Sequence, residues 1–446
     1  MNLKKKFQKK INKSLEAQKN AKKLIPGMTQ LLSKRPDMFS YGVWPGYYKK
    51  SKGTYVWDLD GNKYLDMSIS AIGASILGYA NQNVDQKVIK SIKNGVVSSL
   101  NCKEEINLAN KILSLHKWAD QIRYSKSGGE AVAMSVRVAR AYTKKEVIAF
   151  CGYHGWHDWY LAANIGKDNL KGHLLEGLNA AGVPKGLKNT AFPFRYNEIS
   201  DLEKILKKNK NNVAAIVMEP LRSFYPKNNF LQKVRNLATK YKVILIFDEI
   251  TSGFRLCPGG AHLKLKVNPD MAVFGKALGN GYPISCILGK KKFMRFFEDT
   301  FISSTAWTER TGVVAANAMI DFYLKNKVNI KINKNGKLIK NSIHKIAIKH
   351  NLDISFFGYD SIIVFVFNYK NSNQIKALFI QMMIEEKILA SNVIFMNYAQ
   401  NRNEINRYLS SLDKVFYRLS EIIKSKKNIK KILFGEASSS GFKRIN

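Results

Sequence analysis

Val243-Ile244-Leu245-Ile246-Phe247-Asp248-Glu249 and Met271-Ala272-Val273-Phe274-Gly275-Lys276 are the two stretches whose reading decides the fold. Each is a short apolar run that ends on a charged side chain. Runs of this length, bounded by turn signals, read as strands buried on both faces of a parallel sheet. Ligands of such sheets bind beyond the carboxyl ends of the strands. Two adjacent strand ends would therefore bring one amine, Lys276, and one carboxylate, Asp248, to the same crevice. Taken singly, neither residue says much: a loop lysine is usually a solvated charge, and an Asp after a buried strand is often only a helix N-cap.

Working outward, helical patterns alternate with short apolar strands from about residue 80 to 320, the pattern of a βαβ-wound sheet. Strands are expected at 121–125, 147–150, 213–218, 243–247, 271–274 and 285–288. Upstream, residues 53–66 hold two short strand patterns joined by Asp60-Gly61-Asn62, a hairpin signal. Beyond Asp321 come a helix, short strands around Ser355 and at 362–366, and final helices to about 425, the makings of a separate α+β unit. Phe7, Ile11 and Leu15 recur at i, i+4 and i+8, which predicts one short amphipathic helix in a basic arm. That arm would pack on the body or on a partner subunit, with a membrane surface as the alternative. Residues 436–441 read as disordered. The expected layout is an arm and hairpin segment, 1–65, joining a smaller domain; a large domain, 66–320; and a C-terminal small α+β domain, 321–446.

At 446 residues the chain exceeds one ordinary core, which fits a large domain plus a smaller one. Cys102, Cys151, Cys257 and Cys286 show no CxxC spacing, as expected of a protein in a reducing cytoplasm. No apolar run is long enough to span a membrane. The net charge of +40 invites a nucleic-acid reading. However, the excess is lysine spread along the chain among Asn and Ile, as in 325–334, without arginine-rich tracts or aromatic stacking platforms. No specific nucleic-acid partner is expected, although the charge would speed association with anionic ligands.

The other expected strand ends carry chemistry of the same kind. Ser127-Gly128-Gly129-Glu130 follows one strand and opens a helix, whose free backbone N–H groups and positive dipole end suit a phosphate; a plain turn is the alternative. Tyr153, held between Gly152 and Gly155, could stack on a planar ring. His154 and His157 have no matched third ligand, so no metal is expected. Glu219-Pro220 ends another strand, with Pro220 stopping it and fixing the carboxylate. The hydroxyls of Ser303, Ser304 and Thr305 could donate to a phosphate or cap a helix. An amine for a Schiff base and an acid to hold a pyridine nitrogen protonated are what pyridoxal phosphate requires.

In this order the pieces resemble the class III, fold type I aminotransferases that use pyridoxal 5′-phosphate, most closely the branch similar to glutamate-1-semialdehyde 2,1-aminomutase. The resemblance spans about Ile25 to Leu412. It includes Val56-Trp57-Asp58-Leu59-Asp60-Gly61, Ser127-Gly128-Gly129-Glu130-Ala131, Tyr153-His154-Gly155, Met218-Glu219-Pro220, the stretch from Phe247 to Arg255, and Gly275-Lys276-Ala277-Leu278-Gly279-Asn280-Gly281-Tyr282-Pro283. It implies an α/β fold: a large domain with a mostly parallel seven-stranded sheet sandwiched by helices, plus the smaller α+β domain. It also implies that Lys276 joins the cofactor and moves the substrate's proton, and that Asp248 pairs with the pyridine N–H. Tyr153 would stack on the ring, and Glu219 would stand near its phenolic side or the substrate amine. Ser127, Gly128, Gly129 and His154 would line the cofactor, with the two glycine amides on its phosphate. Thr305 would reach the phosphate of a neighbouring subunit in a homodimer.

Three departures stand out. The family usually has Thr at the position of Gly129 and Asn at that of Lys126, a hydroxyl lost and a cation gained. Residues 169–178 replace the Gly/Ser-rich gating loop of true aminomutases. Near 29–34, Leu31 and Lys34 stand where a Ser/Arg arrangement would read the aminomutase substrate's carboxylate. The departures favour intermolecular transfer between an amino donor and a small aldehyde or keto acceptor, with the intramolecular aminomutase as the alternative. The Ser303–Arg310 stretch is similar to a subgroup associated with surface-polysaccharide or modified-sugar pathways. A third reading, a catalytically dead basic binding protein, has the intact Lys276 and Asp248 against it.

Overall fold

The computed structural model describes residues 3–170 and 177–441. The chain divides into two compact units, one of Gln82–Ile330 and one of Met1–Asn81 with Lys331–Asn446.

The first of these holds a seven-stranded sheet: β1 (Gln121–Ser125), β2 (Val147–Cys151), β3 (Ala191–Pro193), β4 (Val213–Met218), β5 (Ile244–Asp248), β6 (Met271–Phe274) and β7 (Ser285–Gly289). Across the sheet the order is β1-β7-β6-β5-β4-β2-β3. β7 runs antiparallel to both its neighbours, and every other pairing is parallel. Six strands therefore point the same way and open their carboxyl ends along one edge. Three of the expected strands have the expected bounds, and three are displaced or extended by one residue. β3 has no counterpart among them. It is three residues long and ends on Pro193, which cannot donate to a ladder and is tolerated here at the sheet's edge.

Alternation along each strand builds two cores. Ile148, Phe150, Val217, Ile246 and Val273 face one way, where they meet Ala131, Val132 and Val136 of the helix Gly128–Thr143. Val147, Ala149, Ile216, Met218, Leu245 and Phe247 face the other, against Leu202 and Leu206 of the helix Ile199–Lys208 and Val234 of Phe230–Lys240. Ile246 and Phe247 are fully buried on opposite faces. At roughly 1.5–3 kcal/mol for each such side chain, a strand clamped from both sides is a rigid platform for whatever follows its last residue.

In the second unit Tyr48–Lys52, Tyr55–Asp58 and Lys63–Met67 form an antiparallel meander that Ile388–Ala390 joins in parallel. Ile354–Tyr359, Ile362–Phe367 and Val393–Phe395 make a separate antiparallel sheet. Two expectations are corrected. The arm forms two helices, Leu3–Lys9 and Asn12–Leu24, broken at Ile11. Asp60, in the turn of the hairpin, accepts the backbone N–H groups of Lys13 (2.8 Å) and Ser14 (3.0 Å) and the Ser14 hydroxyl (2.8 Å). It thus caps the second helix from a distance that local periodicity cannot report. Residues 436–441 are not disordered: Glu436 N–H donates to Tyr41 C=O (2.9 Å), Ser439 N–H to Asp37 C=O (2.8 Å) and the Ser438 hydroxyl to Phe39 C=O. No helix among the described residues is long and apolar enough to cross a membrane.

Candidate active site

Register brings the carboxyl ends of the central strands level. Asp248, the last residue of β5, lies opposite Val273 of β6, and Met218 lies opposite Phe247. Glu219 therefore stands beside Asp248, and Lys276 follows three residues after Val273. Lys276 takes φ +43°, in the left-handed region. That conformation costs a non-glycine residue about 1–2 kcal/mol, and such strain gathers where function over-determines the backbone. Its Nζ donates to Thr251 Oγ1 at 2.7 Å. Burial pushes the amine's pKa below that of an ordinary lysine, against the opposing pull of Glu219 and Asp248.

Asp248 is 3% exposed. Its Oδ1 accepts the Ile250 N–H at 3.0 Å and its Oδ2 meets His154 Nδ1 at 2.8 Å. The Nε2 of His154 faces the Cys151 carbonyl at 3.2 Å, so both ring nitrogens have oxygen partners. Glu219 accepts the Tyr153 N–H at 3.2 Å and pairs with Arg222 at 3.0 Å. Gly152, at φ +115°, lets this carboxylate approach, since a Cβ there would collide with Glu219 Oε2. Tyr153 is 40% exposed, its ring edge-on to Tyr160 with centroids 6.0 Å apart.

The helix Gly128–Thr143 starts with a capping box. Ser127 Oγ accepts the Glu130 N–H (3.3 Å), and Glu130 accepts the N–H groups of Ser127 (2.8 Å) and Lys126 (3.2 Å). The amides the box does not claim are those of Gly128 and Gly129. Gly128 abuts Ile250, two residues beyond Asp248, and Gly129 abuts His157 and Gly155, so this helix end adjoins the Asp248–His154 pair. Lys126 is not a spare cation for the site: its Nζ is held by the Glu309 carboxylate and carbonyl, both at 2.7 Å. Thr305 begins the exposed turn Thr305–Thr308. Of residues 169–178, those at 171–176 lie outside the described residues. Among the described residues, no three His, Cys, Asp or Glu side chains gather as metal ligands.

Sequence reasoning missed Arg222 and Thr251. Each lies three residues beyond a residue that it singled out, in the loop leaving the same strand. That offset was the available signal. Together the half-buried amine, the carboxylate at the neighbouring strand end and a helix end stripped of side chains at Gly128 and Gly129 fit a flat aldehyde cofactor with a protonated ring nitrogen and a phosphate.

Comparison with known proteins agrees. The profile of the family described as Aminotransferase class-III matches residues 40–385. The 3-aminobutyryl-CoA aminotransferase of Cloacimonas acidaminovorans (strain Evry) is 34% identical over 78% of this chain and 82% of its own. The glutamate-1-semialdehyde 2,1-aminomutase of Wigglesworthia glossinidia brevipalpis is 30% identical over 91% of this chain and 97% of its own. In fold, the chain is similar to the PLP internal aldimine form of the Sphingopyxis sp. MTA144 FumI protein, with a TM-score of 0.84 at 19% identity, covering 94% and 99% of the two chains. The chain belongs to the class III aminotransferases and is an enzyme of the fold type I architecture that depends on pyridoxal 5′-phosphate.

Proposed function

We propose that this enzyme is an intermolecular aminotransferase, moving an amino group from an amino donor to a small aldehyde or ketone, with an oxo-sugar of surface-polysaccharide or modified-sugar biosynthesis as the acceptor class. The observation that carries the reading is the Lys276 amine, half-buried, lowered in pKa and 2.7 Å from the Thr251 hydroxyl at the mouth of adjacent strand ends. When bound, pyridoxal phosphate supplies an electron sink for the charge left when a C–H bond beside nitrogen breaks. Lys276 Nζ, more readily neutral than a solvated amine, takes that proton and delivers it to the neighbouring carbon. Thr251 Oγ1 aims it by accepting one of its hydrogens. Asp248 holds the ring nitrogen's proton, its carboxylate oriented by His154 and the Ile250 amide. Glu219, already paired with Arg222, sets charge beside the substrate nitrogen. Tyr153 would stack on the ring, and Ser127 would shape the helix end whose Gly128 and Gly129 amides would take the phosphate.

The 34% identical aminotransferase supports transfer between two substrates, as do Leu31 and Lys34 in the segment that would read an aminomutase substrate. The names of several relatives favour the aminomutase as the second reading. A homodimer belongs to the proposal. Thr305, on its exposed turn, would serve the neighbouring site, and a second copy would cover exposed Ile92, Val97, Leu100 and Phe301. The four cysteines are free, which suits a reducing cytoplasm. The test is the visible absorption of the loaded enzyme as amino donors are added with no acceptor present. Bleaching by one donor, restored by a carbonyl acceptor, is the expected result. Isomerisation of a single amino aldehyde with no donor required would replace this reading with the aminomutase.

A further inference from the structure

His157 has a ring nitrogen that nothing in the protein uses. Its Nδ1 is shut off from solvent and has no hydrogen-bond partner. Leaving such an atom unmet costs about 1–3 kcal/mol, so it calls for an explanation. The side chain does not serve its own backbone either. His157 stands at the N-cap position of the short helix Asp158–Leu161 and makes no side-chain capping bond. The ring is held in place by Trp156, stacked on it at 4.5 Å and 23°.

What the ring faces is the start of the helix Gly128–Thr143. A Cβ at Gly129 would stand 3.1 Å from the imidazole Cε1 and 3.2 Å from Nδ1. The imidazole thus lies over the backbone of residue 129, in the space that a side chain there would fill. A side chain at 129 would press on the imidazole more tightly than an ordinary contact, and the ring would have to give by a few tenths of an ångström. Three groups lie together at this helix start: the two glycine amides that the capping box leaves unclaimed, and the imidazole Nδ1, a donor when it carries the ring proton. We infer that His157 is the side-chain donor to the cofactor's phosphate, standing in for any hydroxyl that residue 129 could have offered. The inference rests on the assignment of the phosphate to this helix end. The ring belongs to the loop after β2 that also supplies Tyr153 and His154. One short segment would therefore address the cofactor's ring face, its nitrogen through Asp248, and its phosphate. Burial lowers the imidazole's pKa, against the smaller opposing pull of the Glu130 and Asp158 carboxylates. A bound dianion would add to their effect.

The experiment measures equilibrium binding of pyridoxamine 5′-phosphate and of pyridoxamine, neither of which forms a Schiff base with a lysine, by quenching of tryptophan fluorescence. The comparison uses full-length wild type, His157→Phe and His157→Asn. Phe keeps a flat ring under Trp156 without the N–H, and the Asn amide can place a donor near Nδ1. The inference predicts that His157→Phe weakens the phosphorylated ligand by roughly tenfold to a hundredfold, the range for a hydrogen bond to a charged group. Pyridoxamine should be unaffected, and His157→Asn should recover much of the loss. Equal binding of pyridoxamine 5′-phosphate by wild type and His157→Phe overturns the inference and leaves the cofactor site standing. So does an equal loss for both ligands, which would make the ring structural. If wild type prefers neither ligand, the phosphate assignment itself fails.

Discussion

Asp248 and Glu249 are neighbours in sequence, both buried, and each meets a histidine Nδ1 at 2.8 Å, yet the two pairs are built for different purposes. The difference lies in the far side of each imidazole. Nε2 of His262 accepts the Trp118 indole N–H at 2.9 Å, so His262 is a neutral ring with its one proton directed at Glu249. Glu249 also accepts the His262 backbone N–H and the Ser252 hydroxyl, a closed set of donors that holds its carboxyl below the usual range in spite of burial. His116 completes this network: its Nδ1 donates to Ile112 C=O and its Nε2 accepts the Gly260 N–H. His154, in contrast, has an acceptor on each side, Asp248 and the Cys151 carbonyl, and both bonds form only when both nitrogens carry protons. Phe150, Trp159 and Tyr160 surround it with ring centroids about 6 Å away. One pair is a saturated structural knot around a neutral histidine. The other is an acid–histidine pair at the mouth of the site, with an oxygen partner on each side of the ring.

Substitution separates the two most sharply at the acids. Asp248→Asn is expected to keep the fold and the cofactor but lose roughly a thousandfold in turnover, because the neutral amide no longer holds the ring proton. Steady-state kinetics on the loaded enzyme measure it, and an unchanged rate removes Asp248 from its role. Glu249→Gln should show the reverse, with thermal or urea unfolding reporting a loss of about 3 kcal/mol as a saturated buried network is broken, while turnover per folded molecule stays within a few-fold. If Glu249→Gln is instead the silent change and Asp248→Asn unfolds the protein, the comparison is inverted.

A smaller effect comes with acid. Burial pushes His116 down to about 4, so its folded pKa lies below the unfolded value near 6.5. A histidine kept neutral by folding contributes stability that is present above pH 6.5 and lost as pH falls toward 4. By pH 5 the loss should reach about 2 kcal/mol. Unfolding free energies measured at pH 7 and pH 5 should show this excess in wild type and not in His116→Asn. Equal acid sensitivity in both would place the titration elsewhere.

Much of the large unit was legible because its strands are buried on both faces and read as unbroken apolar runs, and because the charged residues that end them are conspicuous against that background. β3 was not, since three residues ending on Pro193 carry no periodic signal. The break at Ile11 was hidden for another reason: its cause, the Asp60 carboxylate, is remote in sequence. At the site, Lys276, Asp248 and Glu219 could be read from strand ends. Arg222 and Thr251 were marked only by their offset of three from Glu219 and Asp248, and the significance of Thr251 and His157 is a distance to another loop. The expected extra cation at Lys126 failed for the same reason, with Glu309 more than 180 residues away holding it.

The most direct test of the account is to load the enzyme with pyridoxal phosphate, reduce it with borohydride and locate the modified residue by peptide mass mapping. In a chain this rich in lysine, non-specific labelling would scatter along the sequence. The account predicts one stoichiometric pyridoxyl group on Lys276, absent from Lys276→Ala, which should fold and have no turnover. A stoichiometric label on any other lysine, or turnover retained by Lys276→Ala, would contradict it.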